Sequence, residues 1–187
     1  MAEVVLFHHA LGVTEGVLAF ADELRAAGHV VHVPDLYQGE LFPDVATGVV
    51  HAEALGFGEI LERGRRAAGP LPAAAVYAGL SLGVLPAQML AQTKPGARAA
   101  VLMHASIPLG QFGPAWPKDV PLQIHVMERD ELGDVEVARE VAASVDEAEL
   151  FLYPGDRHLF ADESLPDYDA EAAEATWRTA LGFLETL

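Results

Sequence analysis

The sequence predicts an α/β fold in which a mostly parallel central sheet is covered by helices on both faces. Short apolar runs alternate with amphipathic stretches along the whole chain, and this alternation is typical of right-handed βαβ crossovers. The runs are apolar almost without interruption, as expected for strands that are buried on both faces. With 187 residues, the chain has the length of one domain, which we assign to residues 1–187.

Six apolar runs are predicted to be strands. They cover residues 4–8, 30–33, 73–79, 99–104, 122–127 and 150–153. Gly28 closes the helix before the second run, because glycine readily adopts the left-handed backbone found just beyond a helix. Pro34 ends the second run, since proline has no N–H to donate to a neighbouring strand.

Helices and loops are predicted between these runs. Helices are expected from the first strand to about residue 27, from about 49 to 68, through residue 92, from 135 to 144 and from 171 to 187. Two connections are long: residues 35–48 are rich in Gly, Pro and Phe, and residues 105–119 are polar and contain proline.

The composition excludes several classes of function. The chain carries 11 Lys and Arg against 28 Asp and Glu, a net charge of −17, and such a field repels phosphate backbones and anionic lipids. We therefore expect neither a nucleic-acid partner nor a membrane partner. The chain has no cysteine, which excludes disulfides and cysteine nucleophiles. Without a basic leader or an apolar run of about 18 residues, a cytoplasmic protein is expected.

Reactive side chains are concentrated in the loops at the carboxyl ends of the predicted strands, where sheets of this kind hold their sites. These residues are His8, His9, Asp35, Ser81, His104, Asp130 and His158. Ser81 gives the sharpest signal. It lies in Gly79-Leu80-Ser81-Leu82-Gly83, between a strand and a helix, the context of a nucleophile elbow. The alternative is a glycine-rich turn in which Ser81 only caps the helix.

His158 is the candidate base that would take the proton of Ser81. It follows the last predicted strand, in a turn favoured by Pro154 and Gly155. The order serine, acid, histidine along the chain is the order expected when such an elbow supplies the nucleophile. The alternative is a solvated surface histidine.

Asp130 is the candidate acid. The acid should follow the strand at residues 122–127, and Asp130 is best placed there to orient an imidazole. Glu128 is still almost within the strand, Glu131 competes with Asp130, and Asp134 directly precedes a helix that we expect it to cap. The catalytic residues predicted from the sequence are thus Ser81, Asp130 and His158.

Backbone N–H groups are expected to hold the oxyanion that forms during acyl chemistry. Leu82, the residue after the nucleophile, should supply one N–H, and the loop after the first strand should supply another, for which we choose Ala10. The adjacent His8 and His9 could suggest a metal, but neighbours on an extended chain point to opposite sides. No metal-binding spacing accompanies them, so no metal is expected.

Three further side chains are candidates for substrate binding: His9, Phe42 and His104. Phe42 lies in an apolar loop that either lines a pocket or plugs the edge of the core. His104 ends the fourth strand, where a hydrogen-bonded structural histidine is the favoured alternative. The loop from Ile107 to Trp116 could form the opposite wall or a contact in a homodimer. Asp35 is expected to anchor its own loop by Asx-type hydrogen bonds.

These motifs together resemble the dienelactone hydrolase family of the α/β-hydrolase superfamily. The matching pieces extend over nearly the whole chain, and the most specific are the elbow at Ser81 and Pro34-Asp35-Leu36-Tyr37. The resemblance implies a compact hydrolase core without a large lid, which uses Ser81, His158 and Asp130 on an ester or lactone carbonyl. The amides of Leu82 and Ala10 correspond to its oxyanion donors.

Three departures from the family pattern leave the substrate open. The founding enzymes use a cysteine where this chain has Ser81. A glutamate of their first loop is replaced by His9, and the arginines that hold their substrate's carboxylate have no match here. The resemblance therefore carries the reaction class over, but not the dienelactone substrate.

The leading hypothesis is a serine hydrolase that cleaves a small ester, lactone or thioester substrate without a cofactor. Two alternatives stay open. A non-catalytic small-molecule receptor could use the same fold, and an acyltransferase could pass the same acyl-enzyme to an acceptor other than water.

Overall fold

In the computed structural model, which describes residues 1–187, six parallel strands form one sheet. The strands are β1 (Glu3–Phe7), β2 (Val30–His32), β3 (Ala75–Leu80), β4 (Ala99–Met103), β5 (Leu122–Met127) and β6 (Ala148–Tyr153). Their spatial order is β2-β1-β3-β4-β5-β6, and every neighbouring pair is parallel. The α/β fold class predicted from the alternating pattern is confirmed.

Helices cover both faces of this sheet. They are α1 (Glu15–Ala26), α2 (Val45–Leu55), α3 (Phe57–Ala68), α4 (Val84–Thr93), α5 (Val135–Ser144) and α6 (Ala170–Thr186). Helices α1 and α6 share one hydrophobic cluster with alternate residues of the strands, whereas α2, α3, α4 and α5 share another with the remaining ones. In β1, Val4 belongs to the first cluster and Val5 to the second, because successive side chains of a strand point to opposite faces.

The stretch predicted as one helix near residues 49–68 is two helices, α2 and α3. They are separated at Gly56, whose φ of 86° lies in the left-handed region and interrupts the helical path. Helix α2 also begins earlier than predicted, at Val45, because the carboxylate of Asp44 accepts a hydrogen bond from the backbone N–H of Thr47 and caps the helix.

The predicted boundaries elsewhere agree closely with the structure. β5 and α5 have the predicted ends, and Gly28, with a φ of 92°, follows the last residues of α1 as expected. Trp116 is buried, and its indole N–H donates to the carbonyl of Val120 at 2.6 Å. Its side chain therefore belongs to the hydrophobic core.

The sequence predicts that the candidate residues lie at one edge of the sheet, and the structure has such an edge. Because every neighbouring pair is parallel, the carboxyl ends lie on the same side in β1, β3, β4, β5 and β6. The loops that leave this edge carry the candidate residues His9, Ser81, His104, Asp130 and His158. No helix is both long enough and apolar enough to span a membrane.

Candidate active site

The turn after β3 lifts Ser81 above the sheet. Ser81 has a φ of 49°, in the left-handed region that non-glycine residues rarely adopt. The chain turns so tightly that a Cβ at Gly79 would lie 2.4 Å from the carbonyl oxygen of Gly83. A Cβ at Gly83 would lie 2.2 Å from the carbonyl oxygen of Phe7 in β1. Both glycines are therefore required for the close approach of backbone, as the predicted nucleophile elbow demands.

Ser81, His158 and Asp130 form one continuous hydrogen-bonded chain. The Oγ of Ser81 lies 2.7 Å from Nε2 of His158, and Nδ1 of the same ring lies 2.8 Å from Oδ2 of Asp130. His158 and Asp130 are buried, whereas Ser81 is half-buried. With the proton of the ring on Nδ1 and donated to Asp130, Nε2 is free to accept the serine proton.

The acid loop and the base loop are joined by backbone hydrogen bonds. The N–H of Glu128 donates to the carbonyl of Tyr153 at 2.8 Å, and that of Arg129 donates to the carbonyl of Gly155 at 3.0 Å. These bonds continue the β5–β6 pairing beyond the strands. The position of His158 relative to Asp130 is consequently set by the register of two neighbouring strands.

Asp130 is the only carboxylate of its loop that contacts the histidine. Its Oδ1 accepts the N–H of Leu132 at 3.0 Å, while its Oδ2 faces His158. Glu128 and Glu131 are exposed. Asp134 caps α5, as predicted, through a hydrogen bond from the N–H of Val137 at 3.4 Å.

Ala10 offers a backbone N–H beside the elbow. Ala10 is buried, and its N–H donates no hydrogen bond to any other group of the protein. The carbonyl of the same residue is covered by α2, where a Cβ at Gly48 would lie 2.1 Å from it. Ala10 and Leu82 belong to one small apolar cluster, so the two predicted oxyanion donors come from neighbouring loops.

The apolar cluster around Ala10 extends towards solvent. Its buried members are Ala10, Leu11 and Leu159, and half-buried apolar side chains pack against them: Val45, Val49, Leu82 and Leu165. Beside His158 the surface is lined mostly by charged side chains instead. A cleft of about 500 Å³ is lined there by Arg129, Asp130, Glu131, Leu132, Asp156, His158 and Asp167.

His8 and His9 point to opposite sides, as neighbours on an extended chain should. The Nδ1 of His8 donates to the carbonyl of His9 at 2.7 Å, and its Nε2 accepts the N–H of Leu36 at 2.9 Å. Burial lowers the pKa of His8 to about 4. The neutral ring thereby fixes the start of the next loop, where Asp35 accepts N–H groups of Tyr37 and Gly39 and forms the predicted Asx turn.

His9, proposed from the sequence as a substrate-binding residue, is fully buried instead. Its Nε2 lies 2.8 Å from Oδ2 of Asp162, and its Nδ1 accepts the N–H of Leu11 at 3.3 Å. Both ring nitrogens are thus engaged by the protein. Sequence reasoning did not single out Asp162, because no local motif links it to a residue 153 positions away.

Asp162 is held as a carboxylate. Burial alone raises the pKa of Asp162, but hydrogen bonds from His9, Ser164 and Thr14 outweigh this effect and lower the pKa to about 2. The hydroxyl of Thr14 lies 2.5 Å from Oδ2, and the hydroxyl of Ser164 lies 2.6 Å from Oδ1.

His104 and Phe42 occupy contrasting positions. His104 is fully buried, its ring centroid lies 6.1 Å from that of His158, and neither of its ring nitrogens has a hydrogen-bond partner. The favoured expectation of a hydrogen-bonded structural histidine is therefore wrong. Burial lowers the pKa of His104 well below its usual value. Phe42 is half-buried, meets the ring of Tyr37 edge-to-face, packs against the tilted ring of His51, and borders an open apolar groove on α2.

Comparisons with known proteins agree with this architecture. A family model described as the dienelactone hydrolase family matches residues 1–187. No curated protein gives a significant match.

Solved structures share the fold at low sequence identity. A dienelactone hydrolase from Anabaena variabilis is 18% identical, with a TM-score of 0.73, and the match covers 99% of this chain and 86% of that one. A dienelactone hydrolase-like promiscuous phosphotriesterase from metagenomic libraries is 18% identical, with a TM-score of 0.74, over 100% and 87%. Alpha/beta hydrolase domain-containing protein 10 from mouse is 12% identical, with a TM-score of 0.71, over 98% and 90%. The chain therefore belongs to the dienelactone hydrolase family, has the α/β-hydrolase fold and is a hydrolase.

Proposed function

We propose that this protein is a serine hydrolase that cleaves a small ester, lactone or thioester through an acyl-enzyme. The observation that carries the proposal is the unbroken chain from Ser81 Oγ through His158 to Asp130, with distances of 2.7 and 2.8 Å. A serine hydroxyl needs a base within hydrogen-bond reach to act as a nucleophile, and the base needs a third group to orient it.

The first half of the reaction forms the acyl-enzyme. Ser81 Oγ attacks the carbonyl carbon while its proton passes to Nε2 of His158. The carbonyl oxygen becomes an oxyanion, which accepts hydrogen bonds from the N–H groups of Leu82 and Ala10. The tetrahedral intermediate then expels the alcohol or thiol, which takes the proton from His158.

The second half returns the free enzyme. Water attacks the ester formed with Ser81 and gives its proton to His158, and a second oxyanion forms in the same place. This intermediate releases the carboxylic acid, and Ser81 recovers its proton from His158. Asp130 stabilises the imidazolium in both halves without taking the proton itself.

The acyl part of the substrate is proposed to be apolar. Val45, Val49 and Leu165 are half-buried apolar side chains grouped with Leu82, the neighbour of the nucleophile. Pockets of this composition favour hydrocarbon groups, since each buried CH₂ contributes about 0.8 kcal/mol.

The decisive experiment uses a fluorophosphonate probe on the purified protein and on Ser81→Ala. The proposal expects labelling at Ser81, located by peptide mass spectrometry, together with turnover of activated esters that Ser81→Ala loses. Absence of labelling in folded protein would contradict it and favour a small-molecule receptor. Ester products formed when alcohols are added would identify an acyltransferase.

A further inference from the structure

A second buried His–Asp pair lies beside the triad, and the proposed reaction does not use it. His9 Nε2 is 2.8 Å from Asp162 Oδ2. Both residues are buried, with 0% of His9 and 4% of Asp162 exposed. Burial of a charged group is costly unless the group is paired and hydrogen-bonded, so this arrangement requires a structural or functional reason.

The hydrogen bonds define the protonation of the His9 ring. The N–H of Leu11 donates to Nδ1 at 3.3 Å, so Nδ1 carries no proton. Nε2 must therefore carry the proton of the neutral ring and donate it to Asp162. His9 acts as a rigid donor between its own loop and a carboxylate distant in the sequence.

Asp162 is fixed on its remaining sides. Thr14 donates its hydroxyl to Oδ2, and Ser164 donates its N–H and hydroxyl to Oδ1, at 2.9 and 2.6 Å. The start of α1 also closes on the carboxylate, since a Cβ at Gly16 would overlap Oδ1 at 1.8 Å. The carboxylate therefore has one orientation available.

The pair connects two loops of the proposed catalytic machinery. Ala10, the proposed oxyanion donor, follows His9 directly, and Asp162 lies four residues after His158 in a turn closed by the bond from its own N–H to the carbonyl of Leu159 at 3.1 Å. We propose that His9 and Asp162 are positioning residues that hold the oxyanion loop against the general-base loop. This inference rests on the proposed function.

Loss of the pair should impair the reaction rather than substrate binding. A displacement of about 1 Å between catalytic groups can reduce a rate by about 100-fold, and oxyanion donors act chiefly on the transition state. We expect His9→Leu to lower kcat by about 10- to 100-fold with KM changed by less than about threefold. His9→Gln should restore most of kcat, because its amide can donate to Asp162 and accept from Leu11.

The pH dependence separates positioning from proton transfer. Because the His158–Asp130 bond does not involve His9, the pH profile of fluorophosphonate labelling should keep its midpoint in His9→Leu while its plateau falls. A shifted midpoint in His9→Leu would show that the pair takes part in proton transfer, and would overturn the positioning role.

His29→Leu is the matched control. His29 is a buried histidine whose Nδ1 also accepts a backbone N–H, from Ala2 at 3.2 Å, but at the opposite end of the sheet. The variant His29→Leu should lower the melting temperature and leave kcat unchanged. If His9→Leu behaves like His29→Leu, the pair is merely structural and the proposal is wrong.

Two further measurements keep the test decisive. If His9→Leu does not fold, Asp162→Asn, which keeps the shape and removes the buried charge, should lower kcat by about tenfold, and an unchanged kcat would refute the inference. Wild type and Ser81→Ala are assayed in parallel. Without Ser81-dependent turnover in the wild type, the proposed function itself fails and the inference falls with it.

Discussion

Nδ1 of His158 lies 2.8 Å from Oδ2 of Asp130, on the ring nitrogen opposite to the one that faces Ser81. This bond determines which nitrogen carries the proton. An asparagine at position 130 could present its NH₂ to Nδ1 and stabilise the wrong tautomer, in which Nε2 is protonated and cannot accept the serine proton.

We therefore predict that Asp130→Asn lowers kcat by about 10³- to 10⁴-fold without preventing folding. Initial rates of ester hydrolysis and the melting temperature measure the two effects. Asp134→Asn is the control, because asparagine caps a helix as well as aspartate does. The assignment of the acid would be wrong if Asp134→Asn were the variant that loses activity.

Gly48→Ala should destabilise the protein although alanine is the better helix former. A Cβ there would lie 2.1 Å from the carbonyl oxygen of Ala10, so α2 must move away from the oxyanion loop and ester turnover should fall with stability. Gly182 is exposed within α6 with no heavy atom within 4 Å of its Cβ position. Gly182→Ala should stabilise by about 1 kcal/mol. Urea unfolding of both variants tests the pair, and equal effects would contradict the packing argument.

Stability should fall as the pH decreases from about 6.5 to about 4. Burial lowers the pKa of His8 to about 4 and that of His125 to about 3. In this range the unfolded chain binds protons that the folded protein does not, so acid favours unfolding. His8 alone accounts for about 3 kcal/mol of this loss.

Urea unfolding between pH 7.5 and 4 measures the effect. His8→Asn should be less stable at neutral pH and should show a shallower dependence on pH. A free energy of unfolding that is constant over this range in the wild type would refute the prediction. A further loss is expected between pH 3.8 and 2, where Asp162 becomes protonated in the unfolded chain first.

Val49→Trp should narrow the acyl specificity. Val49 packs on the apolar cluster that includes Leu82, so a larger side chain there would occupy the space proposed for the acyl group. We expect the ratio of kcat/KM for hexanoate over acetate esters to fall by about tenfold or more. Val50, which is 65% exposed on the same helix, supplies the control Val50→Trp. A ratio unchanged in Val49→Trp would place the acyl group elsewhere.

Local sequence signals were sufficient to identify the elbow and the strands. The glycines around Ser81 report a steric requirement of the turn itself, and the apolar runs report burial on both faces. His158 and Asp130 were identified less directly, from the rule that loops after parallel strands meet at one edge. Their hydrogen bond in the structure depends on pairing between β5 and β6, which the sequence implied only through strand order.

Contacts between residues far apart in the sequence could not be predicted from local sequence patterns. Nothing near His9 indicates that its partner is Asp162, because the two meet only after the first and last loops of the sheet edge converge. Gly56 lies within a stretch of helical character. Glycine permits the positive φ that separates α2 from α3, but the residue type alone does not show that this φ is adopted.

The place of β6 at the sheet edge divides the proposed machinery between regions of unequal local stability. β3, which presents Ser81, is paired on both sides, whereas β6, which precedes His158, pairs only with β5. Edge elements open locally at a lower free energy than central ones. Amide hydrogens of β6 should therefore exchange with solvent before those of β3. Mild denaturant should abolish ester turnover while the centre of the sheet and the turn that holds Ser81 are still folded.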